Sequence, residues 1–231
     1  MAIFSSYFYH ELTKRYTIAF GSLFTGLTVM RNKEDGTEEH RITVPLSYAP
    51  KEKFIRRLTE DANHSKQTAI TLPRIAFEMT SLNYDPQRKL QKLRKYHYKE
   101  APGVTRTHGS VYTPVPYDLV FNLYIVTKTQ DEMLQLVEQI LPAFTPDLTL
   151  SIKGIQDPGT IYDVPLTLLD CAPDDSYSGS MEERRQIMWS LSFLMKAIYF
   201  GPISENSIIL DTGTPLLDWK MLFADIDDVQ P

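Results

Sequence analysis

The chain has a single cysteine, Cys171, in 231 residues. An internal disulfide is therefore impossible, and a lone thiol fits a reducing compartment. Leu168 and Leu169 precede it and no histidine lies near it, so a buried structural thiol is expected. No apolar run approaches the roughly eighteen residues of a membrane span, and residues 1–6 have no basic n-region. Neither a span nor a signal peptide is expected, which places synthesis and assembly in a cytoplasm. The five histidines (His10, His40, His64, His97 and His108) never recur at three- or four-residue spacing, so a metal site is not expected. The stretch from Gly21 to Gly26 lacks the lysine and hydroxyl residue of a phosphate loop, and Ser110 and Ser178 lack a nucleophile elbow. The adjacent carboxylates Asp174-Asp175, Glu182-Glu183 and Asp227-Asp228 fall in polar turns, where such pairs are solvated surface. The expectation is no enzyme, no cofactor and no small-molecule substrate.

What is present is an uneven charge. The net charge is −5, yet the segment from Asp85 to Thr113 carries Arg88, Lys89, Lys92, Arg94, Lys95, Lys99 and Arg106 against Asp85 and Glu100. That segment is +5, leaving −10 for everything else. From Glu205 onward six acidic residues face only Lys220. One basic arm and one acidic tail on an acidic body form a pattern for partners. The arm, bracketed by Asp85-Pro86 and Pro114-Val115-Pro116, has few apolar anchors. It is expected to be poorly packed in the free subunit, with one short amphipathic turn at most. Three readings stand: a solvated loop, a nucleic-acid contact in which Tyr96 and Tyr98 interleave with Lys95 and Lys99, or a protein–protein arm. Opposite-sign segments on one chain can also meet between neighbours head to tail, which closes a ring. The seven cations and Trp219, in the apolar patch Leu216–Trp219 of the tail, are the candidate interaction residues.

The clearest local pattern is strand, helix, strand between Pro116 and Gly154. Leu119, Phe121, Leu123 and Ile125 alternate on one face of a central strand covered on both sides. Thr129 and Glu132 have the spacing of a capping box. Met133, Val137, Ile140, Leu141 and Phe144 follow on one helical stripe limited by Pro142, and Leu148–Lys153 alternates again. Elsewhere a helix is expected over Ser6–Phe24, its Tyr7-Phe8-Tyr9 marking a core edge, the favoured reading, or a contact surface. A hairpin follows, with strands at Leu27–Arg31 and Arg41–Tyr48, its loop at Asp35-Gly36 and Pro45 marking an edge or bulge. A helix is expected from Lys51 to about Asp61, a strand from Ile70 to Tyr84 disturbed at Pro73, and an edge strand at Ile161–Leu169 because of Pro165. Arg184–Phe200 reads as a strand, with Ile187, Trp189, Leu191, Phe193 and Met195 on one face. The whole is one α+β domain, mostly antiparallel, of about six strands and three helices. It spans residues 1–203 with the basic arm 85–116 inserted, followed by the acidic tail 204–231.

Several stretches also resemble a known family. VEQILPAF (Val137–Phe144), preceded by YIVTKTQDEM (Tyr124–Met133), is similar to the tail-sheath stabiliser, or tail terminator, of T-even-type contractile phages. Lys14-Arg15-Tyr16, ITVPLSYAPKEKF (Ile42–Phe54), LPRI (Leu72–Ile75) and RRQIMWSLSF (Arg184–Phe193) match in the same order, so the resemblance runs from about Tyr7 to Pro202. It implies a structural virion protein that caps the head-proximal end of the tail as a hexameric ring. The implied partners are the tail sheath protein, the tail-tube terminator and the neck of the head, with genomic DNA only passing through the lumen and no membrane contact. After its last strand this chain is shorter than family members with long proline-rich tails. The other class of function open to the sequence is a nucleic-acid-binding accessory protein using residues 88–106.

Overall fold

In a computed structural model, residues 7–32, 38–53, 72–99, 107–153, 161–174 and 187–207 are described. Six strands form the main sheet, in the order β3 (Leu46–Tyr48), β4 (Arg74–Tyr84), β7 (Val115–Thr127), β10 (Ile187–Tyr199), β9 (Ile161–Pro173), β8 (Asp147–Lys153). Only the β3–β4 pair is parallel. A two-stranded sheet pairs β1 (Thr28–Asn32) with β2 (Glu38–Thr43). A three-stranded ribbon has the order β11 (Ser204–Ser207), β6 (Thr107–Tyr112), β5 (Lys95–Lys99). Helices α1 (Leu12–Leu23) and α2 (Gln130–Ile140) complete the described architecture, with a 3₁₀ turn at Leu141–Ala143 and a helical turn opening at residue 51. The α+β class expected from the sequence is the one observed.

β7 and β10 form the middle because both alternate without a miss. Leu119, Phe121, Leu123 and Ile125 are fully buried, and so are Leu191, Phe193, Met195 and Ala197 on the facing register. α1 lies on this face. Its Phe20 stacks on Phe121 at 4.5 Å and meets Phe193 edge-on at 5.3 Å. Gly21 permits the approach, since a Cβ there would come within 2.8 Å of the Phe77 ring. α2 adds Met133, Leu136, Val137 and Ile140 to the same core. The opposite face is covered less. Val126, Ala76 and Met188 form a small buried cluster with Leu72, and Tyr124 is buried, but Val120, Asn122, Ser190 and Ser192 remain half-buried. Coverage on both sides therefore holds only at the Thr127 end of β7.

Several expectations are corrected. α1 starts at Leu12, not Ser6: His10 donates from Nε2 to the Gly201 carbonyl at 2.9 Å, and Glu11 turns left-handed at φ 56°, which takes the chain off the helical path. Tyr7, Phe8 and Tyr9 are accordingly exposed, so the contact-surface reading replaces the core reading. The run from Arg41 to Tyr48 is two strands. At Pro45 the chain leaves β1 and joins β4, where the Pro45 carbonyl accepts from Ile75 N–H. Pro165 does not mark an edge, because β9 is interior. The β10 ladder stops at Leu166, so the missing N–H falls where only β8 runs alongside. On α2, Leu136 is buried while Leu141 is exposed. Cys171 is half-buried rather than buried, and burial pushes its thiol pKa up. The hairpin loop at Asp35-Gly36 and most of the helix expected from Lys51 to Asp61 lie outside the described residues.

Candidate assembly surface

The basic arm is the largest departure from expectation, because its described residues include two paired strands. Lys95–Lys99 pairs with Thr107–Tyr112 from Lys95↔Tyr112 to Lys99↔His108, and Ser204–Ser207 adds on the far side of β6. Few apolar residues suffice because they sit together. Val111 is 1% exposed and enters the main core, while Tyr96 and Ile203 pack against it. The root is pinned by backbone and ion pairs. Arg94 offers its carbonyl to Thr113, which donates both N–H (3.0 Å) and hydroxyl (2.9 Å), and Asp85 N–H donates to the Pro116 carbonyl. The first residues of the expected tail thus belong to the arm's sheet.

Arg88 takes no part in an exposed patch. Its guanidinium donates to Asp85 at 2.6 Å, to Asp118 at 2.8 Å and to the Tyr117 carbonyl at 3.1 Å, and Lys196 stands 3.8 Å from Asp85. Arg88 therefore fixes the arm root to β7, and its hydrogen bond holds the Asp85 carboxyl below the usual carboxylate range. Lys89 and Lys92 are exposed. The Arg94 guanidinium lies 5.0 Å from the Tyr96 ring centroid, and Lys95 Nζ lies 4.7 Å from that of Tyr112. Among the described residues, none of these four cations has a carboxylate partner. Leu93, 82% exposed, and Leu90 stand among them. Lys99 is placed by its backbone in β5. Arg106 and Trp219 lie outside the described residues.

The other end of the molecule is built to a different plan. In α2, Thr129 caps by accepting from Glu132 N–H, as the capping box requires. Glu132 does not complete the box. Its Oε1 accepts a hydrogen bond from Arg31 Nε of β1 at 2.8 Å, with Nη2 of the same guanidinium 2.7 Å away as an ion pair, and it is buried there. One turn further on, Gln135 accepts from Met30 N–H and donates to the Met30 carbonyl. Gln139 donates to the Thr28 carbonyl and accepts from Thr28 N–H. Two side-chain amides thus occupy the backbone groups of a strand edge. The i, i+4 glutamines behind a buried glutamate were the overlooked signal.

Nothing in the described residues is arranged for catalysis. No three His, Cys, Asp or Glu side chains there cluster as metal ligands. A hollow of about 410 Å³ beside Arg31 and His40 is otherwise lined by Ile42, Thr43, Pro45, Leu72 and Pro73, with no nucleophile–base pair. Among the described residues, no helix is long and apolar enough to cross a membrane. Known proteins agree with an assembly role. The chain is 30% identical over 213 residues to the tail completion protein gp15 of enterobacteria phage T4, covering 89% of this chain and 76% of that one. The sequence pattern of the T4-like virus Myoviridae tail sheath stabiliser family matches residues 7–222. By that match the chain belongs to the tail sheath stabiliser family, a structural, non-enzymatic component of the tail of the phage virion.

Proposed function

We propose that the protein closes the head-proximal end of a contractile tail as a hexameric ring. In this reading it contacts the last sheath ring and the tail-tube terminator, and presents the surface to which the neck of the head attaches. Genomic DNA passes through the lumen without being read. The observation that carries the proposal is a family match spanning nearly the whole chain. It fits a subunit in which Lys89, Lys92, Arg94 and Lys95 stand together at and just before β5, in a segment of charge +5, while the rest of the chain is acidic, since unlike surfaces on one chain favour head-to-tail contacts that close. The described candidates for contact are Lys89, Lys92, Arg94 and Lys95, together with the exposed Tyr7-Phe8-Tyr9 segment. The competing reading, a nucleic-acid accessory protein, is disfavoured because stacking needs free aromatic faces. One face each of Tyr96 and Tyr112 already carries a cation. Light scattering over a concentration series is expected to show a species near six subunits, either free or on purified tail tips. A monomer that also fails to join tail ends overturns the reading.

A further inference from the structure

Helix α2 carries a second stripe that its own core does not use. Met133, Leu136, Val137 and Ile140 face inward. Asp131, Leu134, Glu138 and Leu141 recur at spacings of three, four and three, so they share another face. That face looks outward. Leu134 is 43% exposed and Leu141 40%, and Asp131 and Glu138 are exposed beside them. Leu141 stays on the stripe because its backbone is still right-handed helical, at φ −56° and ψ −43°. Asp131 accepts from Gln135 at 2.8 Å, and Glu138 has no ion-pair partner among the described residues. The helix itself contains no cation. Leucines two turns apart between carboxylates form the anchor pattern of a helix that docks on a partner.

The arm supplies the complement. Turns closed by Lys89 N–H on the Pro86 carbonyl and Arg94 N–H on the Gln91 carbonyl hold the segment before β5. They set the exposed Leu90 and Leu93 among the exposed Lys89, Lys92, Arg94 and Lys95. Each surface thus joins exposed leucines to charge of one sign, and the signs are opposite. Either patch against its own counterpart would oppose like charges, so a two-fold contact is rejected. Within one chain the two are held apart. Arg88 roots the arm on Asp118, which alternates with Leu119 and so lies on the other face of β7 from the core that α2 joins. α2 also begins only after Thr127, roughly 30 Å further along that strand. We infer that the outward face of α2 in one subunit docks on the Leu90–Leu93 patch of the arm in a second copy. Such a contact passes from copy to copy, as a closing ring requires. It rests on the assembly role proposed above and names the surfaces that would join neighbours.

Full-length proteins with one cysteine each test the pairing. With Cys171→Ala in place, Leu93→Cys and Leu134→Cys each leave one thiol for a short bis-maleimide cross-linker. One of the two carries a size tag, so a mixed link is distinguished from a link between like copies. The mixture should form the 93–134 link several-fold more than Leu93→Cys mixed with Ile18→Cys, an exposed control on α1. Equal yields overturn the inference, as does a link formed mainly between two copies of one variant. Adding Lys89→Glu, Lys92→Glu and Lys95→Glu to the Leu93→Cys protein should cut the link about fivefold or more. Adding Asp131→Lys and Glu138→Lys to its partner should then restore it. Glu138→Lys alone, which is far from the Thr129 cap, should restore part of it even if the Asp131 change weakens the helix. No restoration by either overturns the charge pairing. A ring that forms without the 93–134 link would overturn this contact and leave the assembly reading standing. The link without a ring, free or on tail tips, would count against the assembly reading alone.

Discussion

Two small sheets flank the same central sheet and manage their edges in opposite ways. At β1, Gln135 and Gln139 fill the backbone groups of Thr28 and Met30, and Arg31 is tied to the buried Glu132. At β5 no further strand runs along the outer side among the described residues, and a lysine stands at each end of the strand. An amide seal excludes every partner. A charge guard excludes only partners of the wrong charge. The difference is that side chains of a neighbouring helix close one edge, while charge flanks the other.

The harshest test removes the support both sheets share. Phe193 is fully buried and its ring meets Phe20, Phe24 and Phe144. Phe193→Ala should cost about 3–5 kcal/mol. Calorimetry should show one lowered transition; loss of only one flank would mean that the sheets are independent. Next, Gln135→Ala with Gln139→Ala should cost about 1–2 kcal/mol, since four hydrogen bonds are lost at a partly solvated seam. The unsealed β1 edge should also make the protein self-associate, measurable by light scattering. Unchanged melting would show that water replaces the amides at no loss.

Acid should separate the two flanks. Asp85 titrates below its ordinary value of 3.8 because Arg88 donates to it, so its contribution is present above that value and lost as pH falls through the folded pKa. The glutamine amides do not titrate, so the β1 flank is read at Met30, which Gln135 holds, rather than at Arg31, whose partner Glu132 is a carboxylate. Amide exchange corrected for intrinsic rate, followed from about pH 5 to pH 3, should therefore lose protection at Thr113, bonded to the Arg94 carbonyl, before Met30, bonded to Gln135. Simultaneous loss would contradict a root held by the Arg88–Asp85 pair. The smallest effect should come from Lys89, Lys92 and Lys95. Changing all three to Glu should move stability by less than about 0.5 kcal/mol, as for solvated charges. Arg88 has to be left out of that set, because reversing it would strip Asp85 and Asp118 of their partner.

Much of this was legible in the sequence because burial imposes a period. β7, α2, β8 and β10 were all readable, since each presents one unbroken apolar face. Period is blind to partner. Ile42, Val44, Leu46 and Tyr48 alternate straight through Pro45, yet the chain changes sheets there. Composition misled in the arm, where apolar content is low but Val111 and Tyr96 sit together and backbone bonds do the rest. Arg88 could not be told from the neighbouring cations, because its partner Asp118 is thirty residues away. The amide seal was invisible for a similar reason: nothing in β1 itself announces that a helix more than a hundred residues later will cover it.

The anchoring of α1 has a consequence in time. Among the described residues, the polar ties that hold this helix and its lead-in to the other elements reach far forward: His10 to Gly201, Thr13 to Tyr199, Tyr16 to the Ile198 carbonyl, Arg15 to the Lys153 carbonyl. Burial of the Tyr16 ring, whose hydroxyl pKa is pushed up to about 12, waits on the same strand end. On a ribosome adding about 5–20 residues per second, the earliest helix stays without its seat until the end of β10 has emerged. Contacts of such long separation also slow folding. The first helix made is among the last to be seated, so an unfinished chain cannot present a completed subunit to a growing tail.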